Sequence, residues 1–149
     1  MRDFHLRFVQ DRWPDGMADL FEDDLTGIPD TSGAYVLGTS DGTDLIYPWG
    51  RSPIFYIGKS FSIRKRLLEH RRHTNSAIDD HDIAGVWPRY QYGASFGTCC
   101  AWYENSANRT ANELEAQLIN EFYDIYGSTP VANGTWPTGI PKPKPGKRS

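Results

Sequence analysis

The chain has 149 residues, of which 13% are aromatic and 23% charged, and its formal net charge is −3. That length suits one domain with a core of its own, and the aromatic content excludes a disordered chain. The charge excludes a globally basic nucleic-acid binder, so any affinity for phosphate must come from a local face.

Residues 1–30 read as an N-terminal extension packed on the domain that follows. Phe4, Leu6 and Phe8 alternate with polar residues, as in a short strand. Trp13-Pro14-Asp15-Gly16 is a turn, and Met17, Leu20, Phe21 and Leu25 are spaced for a short helix. Asp15, Asp19, Glu22, Asp23, Asp24 and Asp30 make an acidic run without a lysine or arginine.

Residues 31–38 read as a strand entered from a turn. Residues 39–53 are rich in Gly, Asp, Ser and Pro and form the enlarged loop of an antiparallel hairpin. Its second strand covers Ile54 to Ile57 and is stopped by Gly58. Leu45-Ile46-Tyr47 can extend the ladder inside the loop. Tyr47, Trp49 and Arg51 could insert into a groove or stack on a base, although an ordinary surface loop is the default.

A basic helix follows from about Ser62 to His73, with Ser60 or Ser62 at its N-cap. Lys59, Arg64, Lys65, Arg66, Arg71 and Arg72 are opposed only by Glu69. Ile63, Arg66, Leu67 and His70 share one side of this helix. An arginine and a histidine on a core-facing stripe are costly unless they line a cleft.

Residues 75–88 read as irregular, with one helical turn around 78–83, and His73 and His81 read as incidental. Residues 90–103 are aromatic and β-prone, and predict a third strand. Thr110 with Glu113 is a capping box that opens a helix to Tyr126. Leu114, Leu118, Phe122 and Ile125 are its expected buried stripe, and Gly127 its stop. Glu115, beside Leu114, is expected at the edge of the core. A loop covers 128–134, and residues 137–149 form a basic, proline-rich tail.

The order strand, strand, helix, strand, helix predicts an α+β fold, a small antiparallel three-stranded sheet flanked by helices. Cys99 and Cys100 are adjacent, so a strand would turn them to opposite faces. They make no metal spacing and no disulfide framework, which points to a reducing compartment. Without an apolar leader or a long apolar run, the expected location is cytoplasmic and away from membranes.

Hydrolysis of a phosphodiester needs a nucleophile made from water, charge to neutralise the phosphate, and stabilisation of the leaving oxygen. The chain offers Tyr35 and Tyr56 on neighbouring strands, Arg66 and His70 one helical turn apart, and the helix-borne Glu115. In this order the set resembles the GIY-YIG nuclease family. Gly33-Ala34-Tyr35 stands in the place of the first half-motif, with alanine for isoleucine, and Tyr56-Ile57-Gly58 matches the second half. Lys59, Arg66-Leu67 and His70 follow at the family's spacing. Leu114-Glu115-Ala116-Gln117-Leu118-Ile119 is similar to the helix that carries the metal-binding glutamate, and Asn133 falls where the family has an asparagine. The resemblance covers residues 32–134.

It implies a metal-dependent DNA endonuclease on the GIY-YIG fold, with the nuclease domain at 31–136. By that resemblance Tyr56 is the general base or orients water, aided by Lys59 and the metal. Tyr35 orients water or phosphate, Arg66 holds the scissile phosphate, and His70 contacts phosphate or assists proton transfer. Glu115 is the sole protein ligand of one Mg²⁺ or Mn²⁺ ion, and Asn133 orients a phosphate or a catalytic residue. DNA would meet the basic helix 59–73 and the tail 142–148, with a homodimer if both strands are cut. The competing readings are a non-catalytic nucleic-acid-binding module on the same fold and, from the acidic run alone, a regulatory or protein-interaction domain.

Overall fold

A computed structural model of the chain describes residues 13–79, 87–107 and 109–134. The strand expected around Phe4 to Phe8, His81 and the basic tail lie outside these residues.

The strands are β1 (Gly16–Asp19), β2 (Gly33–Gly38), β3 (Leu45–Tyr47), β4 (Gly50–Ser52), β5 (Ile54–Ser60) and β6 (Cys99–Glu104). The helices are α1 (Ile63–Asp79), α2 (Pro88–Phe96) and α3 (Ala111–Tyr126), with a 3-10 turn at Leu25–Gly27. The main sheet has the order β1-β6-β2-β5, with every pair antiparallel. It therefore has four strands rather than the expected three. The fourth comes from the extension: Met17 and Ala18 pair with Ala101 and Cys100.

The short helix expected over Met17 to Leu25 does not form. Asp19 accepts hydrogen bonds from the amides of Phe21 and Glu22, and Asp24 accepts one from Thr26. Aspartate side chains that cap the local backbone compete with a helix. Part of the acidic run thus closes turns. Gly16 lies under the indole of Trp102, where a Cβ would come within 2.1 Å of the ring.

β2 is central, and all six of its residues are buried. Alternation sends Ala34, Val36, Ile57, Ala101 and Tyr103 to one face, against Leu114, Leu118, Ile119 and Phe122 of α3. Tyr35, Leu37, Phe55, Cys100 and Trp102 go to the other, against Ile63 and Leu67 of α1 and against Leu20, Leu25 and Ile28. Cys99 and Cys100 do fall on opposite faces, and neither is in a disulfide. The α3 stripe differs at one position: Ile119 is buried and Ile125 is not.

Gly58 does not stop its strand, because β5 continues to Ser60. Ser62 then caps α1, its Oγ accepting from the amide of Lys65 at 3.3 Å. The amides of Ile63 and Arg64 donate to the carbonyls of Thr31 and Pro29. α1 runs on to Asp79, past the expected end at His73.

The predicted third strand over 90–103 is half helix. Pro88 opens α2 at a position where its missing N–H costs nothing. Gly97 (φ 74°) turns the chain, and β6 begins at Cys99. The aromatic residues that suggested a strand are used as packing surface: Tyr92 stacks on Phe55 with ring centroids 6.0 Å apart. Gly93 brings α2 close to α1, where a Cβ would meet Thr98 at 2.6 Å and Thr74 at 3.2 Å.

The loop of residues 39–53 is ordered by its own two-stranded sheet, β3 with β4. Tyr47 is a core residue, not a groove-inserting one. Its hydroxyl donates to the Ile54 carbonyl at 2.6 Å, and its ring packs edge-on against Phe122. Trp49 leans on Tyr123 beside Gly127.

Candidate active site

The site is built on β5, the edge strand of the main sheet. Register places Tyr35 opposite Gly58 and Leu37 opposite Tyr56. Tyr35 and Tyr56 are therefore diagonal neighbours on one face, with ring centroids 6.1 Å apart. Gly58 makes this arrangement feasible. A Cβ there would lie 2.5 Å from the Tyr35 hydroxyl and 2.9 Å from the Tyr56 ring.

α1 brings His70 over the same face. Its Nε2 lies 2.8 Å from the Tyr35 hydroxyl, and its ring is 5.8 Å from that of Tyr56. His70 is 1% exposed. Burial pushes its pKa down to about 3, helped by the charges of Arg89 and Arg66, so the imidazole is neutral near pH 7. Its Nδ1 is buried and has no partner among the described residues. A buried orphan donor is rarer than an orphan acceptor, which favours the tautomer with the proton on Nε2. That N–H then donates to the Tyr35 hydroxyl. Burial and the neighbouring Tyr56 hold Tyr35 protonated, well above the ordinary range of a phenol.

Arg66, one turn before His70, is half-exposed and sits 3.8 Å from Glu69. Its charge acts on both Tyr35 and His70. Lys59 points to the other side of β5, where it donates to Asn112 and acts on Glu115. Glu115 is half-buried, as expected from its place beside Leu114. Burial raises its pKa and Lys59 opposes the rise. Among the described residues its carboxylate accepts no hydrogen bond. No group of three or more His, Cys, Asp or Glu there could by itself hold a metal.

Asn133 works through the backbone. Its Oδ1 accepts from the Ile57 amide at 2.9 Å, and its Nδ2 donates to the Ile57 carbonyl at 2.7 Å. Next to it the Ala132 amide donates to Phe55. The loop after α3 thus covers the open edge of β5 and fixes the residue between Tyr56 and Gly58. Asn133 positions Tyr56 through the strand, and its carboxamide is occupied in doing so.

The structure therefore gathers Tyr35, Tyr56 and His70, with Arg66 in electrostatic reach, on one face of β5. Lys59 and Glu115 form a second group on the other. A cleft of about 1020 Å³ opens where β5, α1 and the start of α3 meet. Lys59, Lys65 and Arg66 line it together with the acids Asp30 and Glu69. Phe61, 96% exposed, stands among them. Arg64, by contrast, is committed to the Ile28 carbonyl.

One residue at the site was missed by the sequence reading. Arg89 reaches the Tyr56 ring from α2, in a stretch read as leading into a strand. The available signal was a cation set between Trp87 and Tyr90.

The class that these elements define is α+β: an antiparallel sheet flanked by helices. No helix among the described residues is long and apolar enough to cross a membrane. No family model, curated protein or solved structure matches the chain.

Proposed function

We propose that the chain is a metal-dependent DNA endonuclease of the GIY-YIG type. One observation carries the reading: the Tyr35 hydroxyl meets a buried neutral His70 at 2.8 Å, and its ring lies beside that of the half-buried Tyr56. A purely structural core would fill this volume with apolar side chains, since a buried hydroxyl–imidazole pair returns little net stability.

The residues divide the work. Tyr56 orients the attacking water through its hydroxyl, while Tyr35 packs beside its ring and His70 fixes Tyr35. Arg66 holds the scissile phosphate through its planar fork. Lys59 favours the ionised form of Glu115. A carboxylate that accepts no hydrogen bond among the described residues suits a hard cation whose remaining ligands are water and phosphate oxygens. One Mg²⁺ or Mn²⁺ ion bound there would offset charge on the phosphate and the leaving oxygen. The exposed Phe61 offers a face to a base beside the cations of the cleft.

The test is incubation of the purified protein with supercoiled plasmid, with and without Mg²⁺ or Mn²⁺, beside Glu115→Ala. Metal-dependent nicking or linearisation that the variant loses is the expected result. DNA binding without cleavage under any metal would favour a binding module on the same scaffold.

A further inference from the structure

Arg89 is the second residue of α2 and belongs to none of the motifs that drew attention to the site. Its guanidinium carbon lies 5.3 Å from the ring centroid of Tyr56, 5.0 Å from that of Tyr90 and 5.3 Å from that of Trp87. Three aromatic faces hold the cation and strip part of its water. Its charge reaches Tyr35 and His70. Among the described residues no carboxylate neutralises Arg89, whereas Arg66 has Glu69 and Lys59 has Glu115 nearby.

A half-buried guanidinium held over a tyrosine, with no carboxylate beside it among the described residues, is suited to bind an anion. Arginine carries five N–H donors in a planar fork. Trp87 is 65% exposed, so the stack is open to solvent on that side. The anion that fits such a fork is a planar or tetrahedral oxyanion.

We propose that Arg89 binds a backbone phosphate of the nucleic acid beside Tyr56, as a second guanidinium in addition to Arg66. The identity of the anion rests on the nuclease reading, in which Tyr56 acts next to a phosphodiester.

The experiment measures binding of a labelled DNA duplex against salt concentration, in a Glu115→Gln background that leaves the DNA intact. Arg89→Gln keeps a polar stem without the charge, whereas Arg89→Lys keeps the charge. One lost phosphate contact lowers the slope of log affinity against log salt by about 1. Arg89→Gln should show that loss and Arg89→Lys should not. With Glu115 intact, Arg89→Gln should also slow single-turnover cleavage on the order of 100-fold. A salt slope equal to that of the parent overturns the proposal, whatever the cleavage rate. Binding that loses slope in Arg89→Gln, from a protein that cleaves with neither Mg²⁺ nor Mn²⁺, sinks the nuclease reading and keeps the phosphate contact. A protein that does not bind the duplex even at low salt overturns both.

Discussion

The Tyr35 hydroxyl and the Nε2 of His70 meet at 2.8 Å, each residue 1% exposed, across 35 positions of sequence. The contact joins the central strand to α1. It also ties the candidate chemistry to the stability of the fold, because both groups are out of reach of water.

His70 makes stability depend on pH. Its pKa falls from 6.5 to about 3 on folding, so the unfolded chain binds the proton more tightly. The sign follows: the contribution is complete above pH 6.5 and is lost as pH falls towards 3. Within that window one proton is worth about 1.4 kcal/mol per pH unit. Urea unfolding of the wild type and His70→Gln across this range should show the difference between them shrinking as pH falls. A constant difference would mean that His70 is charged in the folded protein.

Gly58→Ala should be destabilising by about 1–3 kcal/mol, since its Cβ would press on the Tyr35 hydroxyl at 2.5 Å. The cost should shrink in a Tyr35→Ala background, because the two residues share one space. A double-mutant cycle from denaturant midpoints measures the coupling, and additive values would show that Tyr35 moves aside freely.

Glu115→Gln should leave the unfolding temperature unchanged or raise it. Burial lifts the Glu115 pKa, so its ionised form works against folding at pH 7. Metal-dependent cleavage should disappear in the same variant. A folded variant that still cleaves would move the metal elsewhere.

Arg66→Ala should cost little stability, because the 3.8 Å pair with Glu69 is exposed and such i,i+3 pairs contribute about 0.5 kcal/mol or less. Cleavage should fall by about 10²–10³ if Arg66 holds transition-state charge. A loss under tenfold would remove it from the site.

Asn133→Ala should cost about 1–3 kcal/mol, since it unties both the amide and the carbonyl of Ile57. Amide exchange at Ile57 should quicken in this variant and stay slow in Glu115→Gln. Unchanged exchange would show that water replaces the carboxamide without loosening β5.

What the sequence by itself determined is local. The start and end of α3 were legible because caps act within a few residues: the Glu113 amide donates to Thr110 Oγ1 at 3.3 Å, and Gly127 adopts φ 78°. Helical period alone puts Ile63, Arg66, Leu67 and His70 on one side of α1; Ile63, Leu67 and His70 are buried, and Arg66 is half-exposed at the rim. The tertiary structure decided the rest. Residues 88–96 became helix because Tyr90 and Tyr92 found partners in His70 and Phe55, and packing outweighs the β-preference of aromatic residues. Residues 16–19 became a strand because β6 offered an open edge. The partner of His70, the occupied carboxamide of Asn133 and the position of Arg89 over Tyr56 follow from no spacing in the chain. Each joins elements distant in sequence, and register and packing in three dimensions set such contacts.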